Sequence, residues 1–213
     1  MTNDPAWYSP PQADSFPVNA PLDAEAIQAV PAGFGIRALG RFLDVIAVMV
    51  VAVISGAVAG ICIALLGVAG VVRAGWQTRI AGGGFSASSI AISLLASTLY
   101  HAISEGYGGA SMGKAVLGLR VKKVDTFEPC GLVSGLVRNL AYYIDVLFFG
   151  LVAYNAMSKS SLQQRVGDKW ASTVVVRANS LPLRAQGGVA IGLMLACGAY
   201  SAVTIVGTVL RVM

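Results

Sequence analysis

Three stretches of the chain carry almost no charge, residues 42–72, 85–103 and 189–210. Each approaches or exceeds the roughly 20 apolar residues with which a helix crosses the hydrocarbon of a bilayer, and so short a chain leaves too little polar surface to cover three such helices in water. The pattern predicts an all-α integral membrane helical bundle, with one helix over about 35–66, a second over about 86–105 and a third over 188–210. A fourth apolar run, 139–157, is long enough to cross but lies between two basic flanks. Lys114, Arg120, Lys122, Lys123 and Arg138 precede it, and Lys159, Arg165, Lys169, Arg177 and Arg184 follow it. Lys and Arg concentrate in cytoplasmic loops, so both flanks are expected on that side, with the run dipping in and returning around a bend near Gly150. Three full crossings plus a re-entrant or interfacial helical pair is preferred; four full crossings is the alternative.

Two segments break the helical pattern. Residues 117–124 and 172–177 (STVVVR) are rich in β-branched side chains, which favour strands, and they are expected to pair as a small cytoplasmic sheet. Paired strands lie on one side of the membrane, which agrees with the re-entrant reading. Residues 1–33 hold six of the eight prolines and no Lys or Arg. That composition buries too little apolar surface to fold alone, and predicts a disordered cytoplasmic tail with a short helical stretch near 24–29. Trp7, Tyr8 and Phe16 are its candidate anchors for a protein partner. The organisation expected is a tail (1–33), a membrane domain (34–180) and an additional C-terminal transmembrane helix (181–213).

Composition agrees with this picture. The chain is 56% hydrophobic and 12% charged, against about 25% charged in ordinary soluble domains, and its mean hydropathy is +0.72. Formal net charge is +5. The tail keeps Asp4, Asp14, Asp23 and Glu25 to itself, so all 15 basic residues face only Asp44, Glu105, Asp125, Glu128, Asp145 and Asp168 in the rest of the chain. Such a basic membrane part suits anionic lipid headgroups on a cytoplasmic face; no aromatic-interleaved basic module points to nucleic acid. The first 30 residues lack a positive start followed by an apolar core, so the first helix is expected to act as the uncleaved targeting signal, in a bacterial-type cytoplasmic membrane with the N-terminus inside. Cys62, Cys130 and Cys197 offer neither a CxxC spacing nor a disulfide framework. With one histidine, no paired cysteines and no nucleophile elbow, neither an enzyme nor a cofactor is expected. Gly188, Gly192 and Ala196 recur every four residues, and Gly56 and Gly60 do so in the first helix, a spacing that fits close intramolecular packing or a homodimer.

Candidate chemistry lies in the charges lipid should not tolerate. Arg37-x-Leu-x-x-x-x-Asp44-Val and Arg138-x-Leu-x-x-x-x-Asp145-Val repeat one pattern, each at the mouth of an apolar run. Seven residues is about 20° short of two helical turns, so each Arg shares a face with its Asp. A membrane-buried Asp costs roughly 2.5–3.5 kcal/mol on insertion scales, which directs Asp44 and Asp145 toward protein, water or a basic partner, with Arg37 and Arg41 able to snorkel and still reach inward. Two readings stay open. The charges are structural clamps at the interface, or Asp44 and Asp145 are cation or proton sites assisted by Glu105 and His101, which share a helix face. Residues 108–114 (GGASMGK) satisfy the spacing of a phosphate-binding loop, but Ala115 removes the magnesium-binding hydroxyl and no strand precedes it. Lys114 in such a loop can meet a lipid phosphate, or the loop closes tightly over the bundle.

Taken in order, Arg37 with Asp44, Glu105-x-x-x-Gly109-x-Ser111-x-Gly113-Lys114, Gly118-Leu119-Arg120-Val121, Arg138 with Asp145, and Arg165-x-x-Asp168-x-x-Ala171-x-Thr173-x-Val175 resemble the RDD family of prokaryotic membrane proteins over about residues 34–177. Ser111 stands where threonine is commoner in that family, and the tail and the run after residue 181 are additions to its usual core. The resemblance implies a compact membrane domain with charges gathered at its cytoplasmic side, and a link to transport, including sodium/proton exchange, in some members. It makes Asp44, Glu105 and Asp145, balanced by Arg37, Arg41 and Arg138, the candidate cation or proton sites, with Lys114, Arg165 and Asp168 as further charge positions. The competing expectation is a non-transporting membrane protein that recruits partners or anionic lipid through its basic face and tail.

Overall fold

The computed structural model describes residues 29–71, 86–146 and 150–212. The expectations for the tail anchors, for most of the stretch near 24–29 and for the middle of the fourth apolar run lie outside those residues.

Among the described residues, three helices are long and apolar enough to span a bilayer. Helix α1 is Phe34–Val68 and α2 is Ala87–Gly108; the third long helix is the last element, Val189–Val212. At 1.5 Å per residue they reach about 50, 33 and 36 Å, against roughly 30 Å of hydrocarbon. Their outward faces are apolar and open, as with Met49, Val53, Ile61 and Leu65 on α1, the arrangement of a helix solvated by lipid. The second helix runs three residues past the expected end. Its glycine-rich Gly106-Tyr107-Gly108 stays helical, and the break comes at Gly109, in the left-handed conformation (φ 70°).

Between α2 and the last helix the chain builds a compact cap. A five-residue helix α3, Met112–Val116, leads into strand β1, Leu119–Lys123. Helix α4, Gly131–Asp145, α5, Leu151–Ser158, and α6, Val166–Trp170, follow, then strand β2, Thr173–Arg177; the last long helix is therefore α7. The strands pair antiparallel, Leu119 opposite Arg177 and Lys123 opposite Thr173. Because β1 and β2 share one side, the chain between them makes no single net crossing. The fourth apolar run is divided accordingly: α4 ends at Asp145, α5 begins after Gly150 (φ 84°), and its eight residues span only about 12 Å.

Residues 30–32, expected in the tail, belong to the cap. Val30 accepts a hydrogen bond from the Arg177 amide, and the Ala32 amide donates to Val175 O at 2.9 Å, so residues 30–32 lie along β2. One face of the ribbon buries Leu119, Val121 and Val175 with Ala32 and Cys130; the other buries Val174 and Val176 with Leu181 and Ala185.

In the bundle α2 and α7 run antiparallel with Ala96, Tyr100, Ala196 and Tyr200 between them. A Cβ on Gly192 would lie 2.5 Å from the Gly108 amide nitrogen, so only glycine permits this approach. The α7 small-residue stripe is thus used inside the molecule. A Cβ added at Gly56 or Gly60 of α1 would meet nothing within 4 Å, so these two glycines face away from the bundle. Where α1 begins, α2 ends and α7 begins, all three meet the cap, and the charged residues converge there.

Candidate functional site

Asp168 sits at the centre of the convergence. It is the third residue of α6, is fully buried, and accepts the Arg165 amide at 3.1 Å, closing the first turn of its own helix. From α1, Arg37 reaches its Oδ2 in a close ion pair and donates to the Gln163 carbonyl at 2.7 Å. From α4, Arg138 Nη1 lies 2.9 Å from Asp168 Oδ1 and donates to Thr173 Oγ1 at 2.7 Å. The two arginines of the repeated sequence pattern therefore meet on one carboxylate that belongs to neither repeat. Burial pushes the Asp168 carboxyl up, but Arg138, Arg37 and Arg165 outweigh it and hold it far below the usual carboxylate range.

Glu105, near the end of α2, makes the second node. It forms a close ion pair with Lys114 of α3, and its Oε2 is 3.3 Å from Arg138 Nη2. His101, one turn earlier, holds Nδ1 at 3.9 Å from Oε1. Burial lowers the Lys114 ammonium to about 8 against the opposing pull of Glu105. Arg138 is raised, because Asp168 and Glu105 outweigh the effect of its burial.

Asp44 takes a different part from the one its spacing with Arg37 implied. Ser111 Oγ donates to its Oδ2 at 2.6 Å and the Gly113 amide to its Oδ1 at 2.7 Å. The GGASMGK loop does close around an anion, and that anion is the chain's own carboxylate. Gly113 makes this possible: a Cβ there would lie 2.8 Å from the Asp44 amide and still nearer the Gly40 carbonyl. Lys114, at the same loop, is turned to Glu105 and not outward to a lipid phosphate.

Asp145 is the exception among the buried acids. It is 1% exposed, yet neither of its carboxylate oxygens has a hydrogen-bond partner among the described residues, and its nearest cation is Arg165 Nε at 3.8 Å. Burial raises its carboxyl, and Arg165, with smaller help from the Val166 amide and Arg37, offsets only part of that. It lines a cavity of about 480 Å³ between α1, α4 and α5, together with Arg37, Arg41 and Arg165. Arg41 makes no ion pair among the described residues; its guanidinium lies 3.9 Å over the Tyr142 ring.

All nine charge positions expected from the sequence thus gather at the cap end of the bundle, but in three settings. Arg37, Glu105, Lys114, Arg138 and Asp168 form a connected buried network; Asp44 closes a loop; Arg41, Asp145 and Arg165 border a cavity that Arg37 also reaches. Thr173 and the Gln163 carbonyl complete the arginine contacts, and Tyr142 carries Arg41. Nothing in the local sequence marks Tyr142, which reads as one more interfacial aromatic one turn before Asp145.

A family model described as the RDD family matches residues 31–172. No curated protein and no solved structure matches the chain.

Proposed function

The chain belongs to the RDD family, and from that premise we propose that it is a proton-linked transport protein of the cytoplasmic membrane in which Asp145 takes up and releases the proton. One observation carries the reading: among the described residues, Asp145 alone of the four buried acids is both short of hydrogen-bond partners and in contact with a cavity. Asp44, Glu105 and Asp168 are each held by two or more donors or cations, so protonating any of them would dismantle packing. A proton suits the site better than a metal ion, because Asp145 is the one carboxylate on a lining that includes three arginines, whereas Na⁺-like hard cations need several oxygen ligands.

Orientation follows from the charges. Of the Lys and Arg among the described residues, all but Arg211 fall at the cap end or in the first two turns of α1. The positive-inside bias makes the cap cytoplasmic; the N-terminus then lies inside, and α7 ends on the opposite face. The same distribution favours a second reading, in which the basic cap rests on anionic headgroups and serves as an accessory surface.

The test is proton-linked flux in vesicles reconstituted with the full chain and an internal pH dye. Wild type is expected to dissipate an imposed gradient and Asp145→Asn to lose that flux while unfolding within about 2 °C of wild type. Flux unchanged in the variant, or absent from wild type, removes the proposal.

A further inference from the structure

The cavity beside Asp145 has a mixed lining. Arg41 and Arg165 contribute cationic groups, and buried Arg165 Nε and Arg37 Nε have no hydrogen-bond partner among the described residues. Phe34, Ala153 and Met157 add apolar lining, as do Phe42 and Val45, which are 62% and 49% exposed on the outward side of α1. Arg37 is already paired with Asp168, and Arg165 lies 3.8 Å from Asp145 and 3.9 Å from Asp168, so Arg41 is the lining cation with no carboxylate partner among the described residues; buried donors without partners favour an occupant that accepts hydrogen bonds. Arg41 lies seven residues into α1, roughly 10 Å from its start, the depth at which headgroups give way to acyl chains. At about 480 Å³ the cavity is within the range of about 300–1000 Å³ usual for small-molecule sites, room for a headgroup and the upper part of a chain.

We infer that this cavity is a binding site for one anionic phospholipid, its phosphate held by Arg41 and Arg165 and its acyl chain running out along Phe42 and Val45. Guanidinium forks match phosphate oxygens in pairs, and Arg41, stacked on Tyr142, is already oriented at little further entropic cost. Asp145 opposes the ligand, because its carboxylate competes for Arg165. The inference goes beyond the transport reading and does not depend on it: Asp145→Asn is expected to abolish flux if that reading holds, and to tighten lipid binding if this one does.

Native mass spectrometry of the full chain in detergent, titrated with phosphatidylglycerol or with phosphatidylcholine of the same acyl chains, tests it. One phosphatidylglycerol per chain is expected, retained at least about tenfold better than phosphatidylcholine. Arg41→Gln should weaken retention by about tenfold to a hundredfold, the loss of one charge-assisted contact. Because Arg41 lies outside the buried ion-pair network, the variant's unfolding temperature should stay near that of wild type. Ala38→Trp, which fills the cavity from α1, should abolish retention without removing any charge. Equal retention of the two lipids, or retention untouched by both substitutions, overturns the inference. So does equal competition by soluble glycerol phosphate, which would make the ligand a free phosphate.

Discussion

Replacing Asp168 by Asn removes one negative charge from between two buried guanidinium groups while keeping size and shape. Arg37 and Arg138 are 5% and 1% exposed, so water cannot take the place of the lost carboxylate. Breaking a buried pair by neutralising one partner costs about 3–5 kcal/mol, and Arg138 keeps only Glu105 and Thr173 as compensation. For a chain of this length about 1 kcal/mol moves the unfolding midpoint by 2–4 °C, so the expected drop is about 6–20 °C. The protein supplies its own reporter. Cys130 is buried beside the network, its Sγ 3.6 Å from the Glu105 carbonyl, whereas Cys62 and Cys197 are partly accessible. In a Cys62→Ala, Cys197→Ala background, a thiol-reactive fluorophore therefore records opening of the cap during a thermal ramp in detergent. Asp145→Asn serves as the contrast, since it removes a buried charge that is poorly compensated among the described residues and should leave the midpoint unchanged or higher. A drop of less than about 2 °C for Asp168→Asn, or an equal drop for both variants, would refute the view that Asp168 organises the cluster and Asp145 does not.

Two further outcomes follow from the same geometry. Gly113→Ala forces α1 and α3 apart and breaks the Asp44 contacts, an overpacking of about 1–3 kcal/mol with a charged hydrogen bond of about 1.5–3 kcal/mol lost besides; the midpoint should fall by about 6 °C or more, while Gly60→Ala, in open space, should leave it in place. The pH dependence of unfolding should separate the two cap carboxylates. Asp168, held low, contributes stability that is present above about pH 4 and is lost only in stronger acid. Asp145, held high by burial, binds its proton more tightly folded than unfolded, so its contribution falls as pH rises above about 4 through its folded value. The difference between wild type and Asp145→Asn should therefore shrink or reverse on acidification, and a flat difference from pH 4 to 8 would contradict the burial of that carboxyl.

Much of this architecture was legible in the chain because lipid imposes simple rules. Uncharged length located α1, α2 and α7, and β-branched runs located β1 and β2 to within two residues. The boundary errors have local causes. Glycines after Glu105 read as a break, but in α2 they stay helical because Gly108 is needed against Gly192. Pro31 read as part of the tail, yet its neighbours bond to the edge of β2, where a residue without an amide hydrogen is tolerated. Candidate charges could be chosen because ionised side chains near hydrocarbon demand partners. Their pairing could not, because the two-turn spacing of Arg37 with Asp44 and of Arg138 with Asp145 fixes a shared helix face and says nothing about what the next helix brings to it.

The repeated pattern shows why one acid of the four is left free. Both arginines, Arg37 and Arg138, turn to Asp168, so both aspartates must be satisfied from elsewhere. For Asp44 the loop after α2 supplies a hydroxyl and an amide, brought within 2.7 Å by a residue without a side chain. Asp145 meets no equivalent pair of close donors; α4 ends at that residue, and what approaches it is Arg165, at 3.8 Å, and the Val166 amide at the start of α6. A buried carboxylate with so little compensation is expensive to keep ionised, and a structural role alone would be met as well by Asn, which is neutral and of nearly the same shape. An acid at that position does two things Asn cannot: it balances Arg165, and, under the proposed function, it changes charge. Asp145, with its cavity and its unequal arginine neighbours, is for that reason the place where the chemistry of this domain should be sought, and the locked cluster behind it is the rigid support that keeps it there.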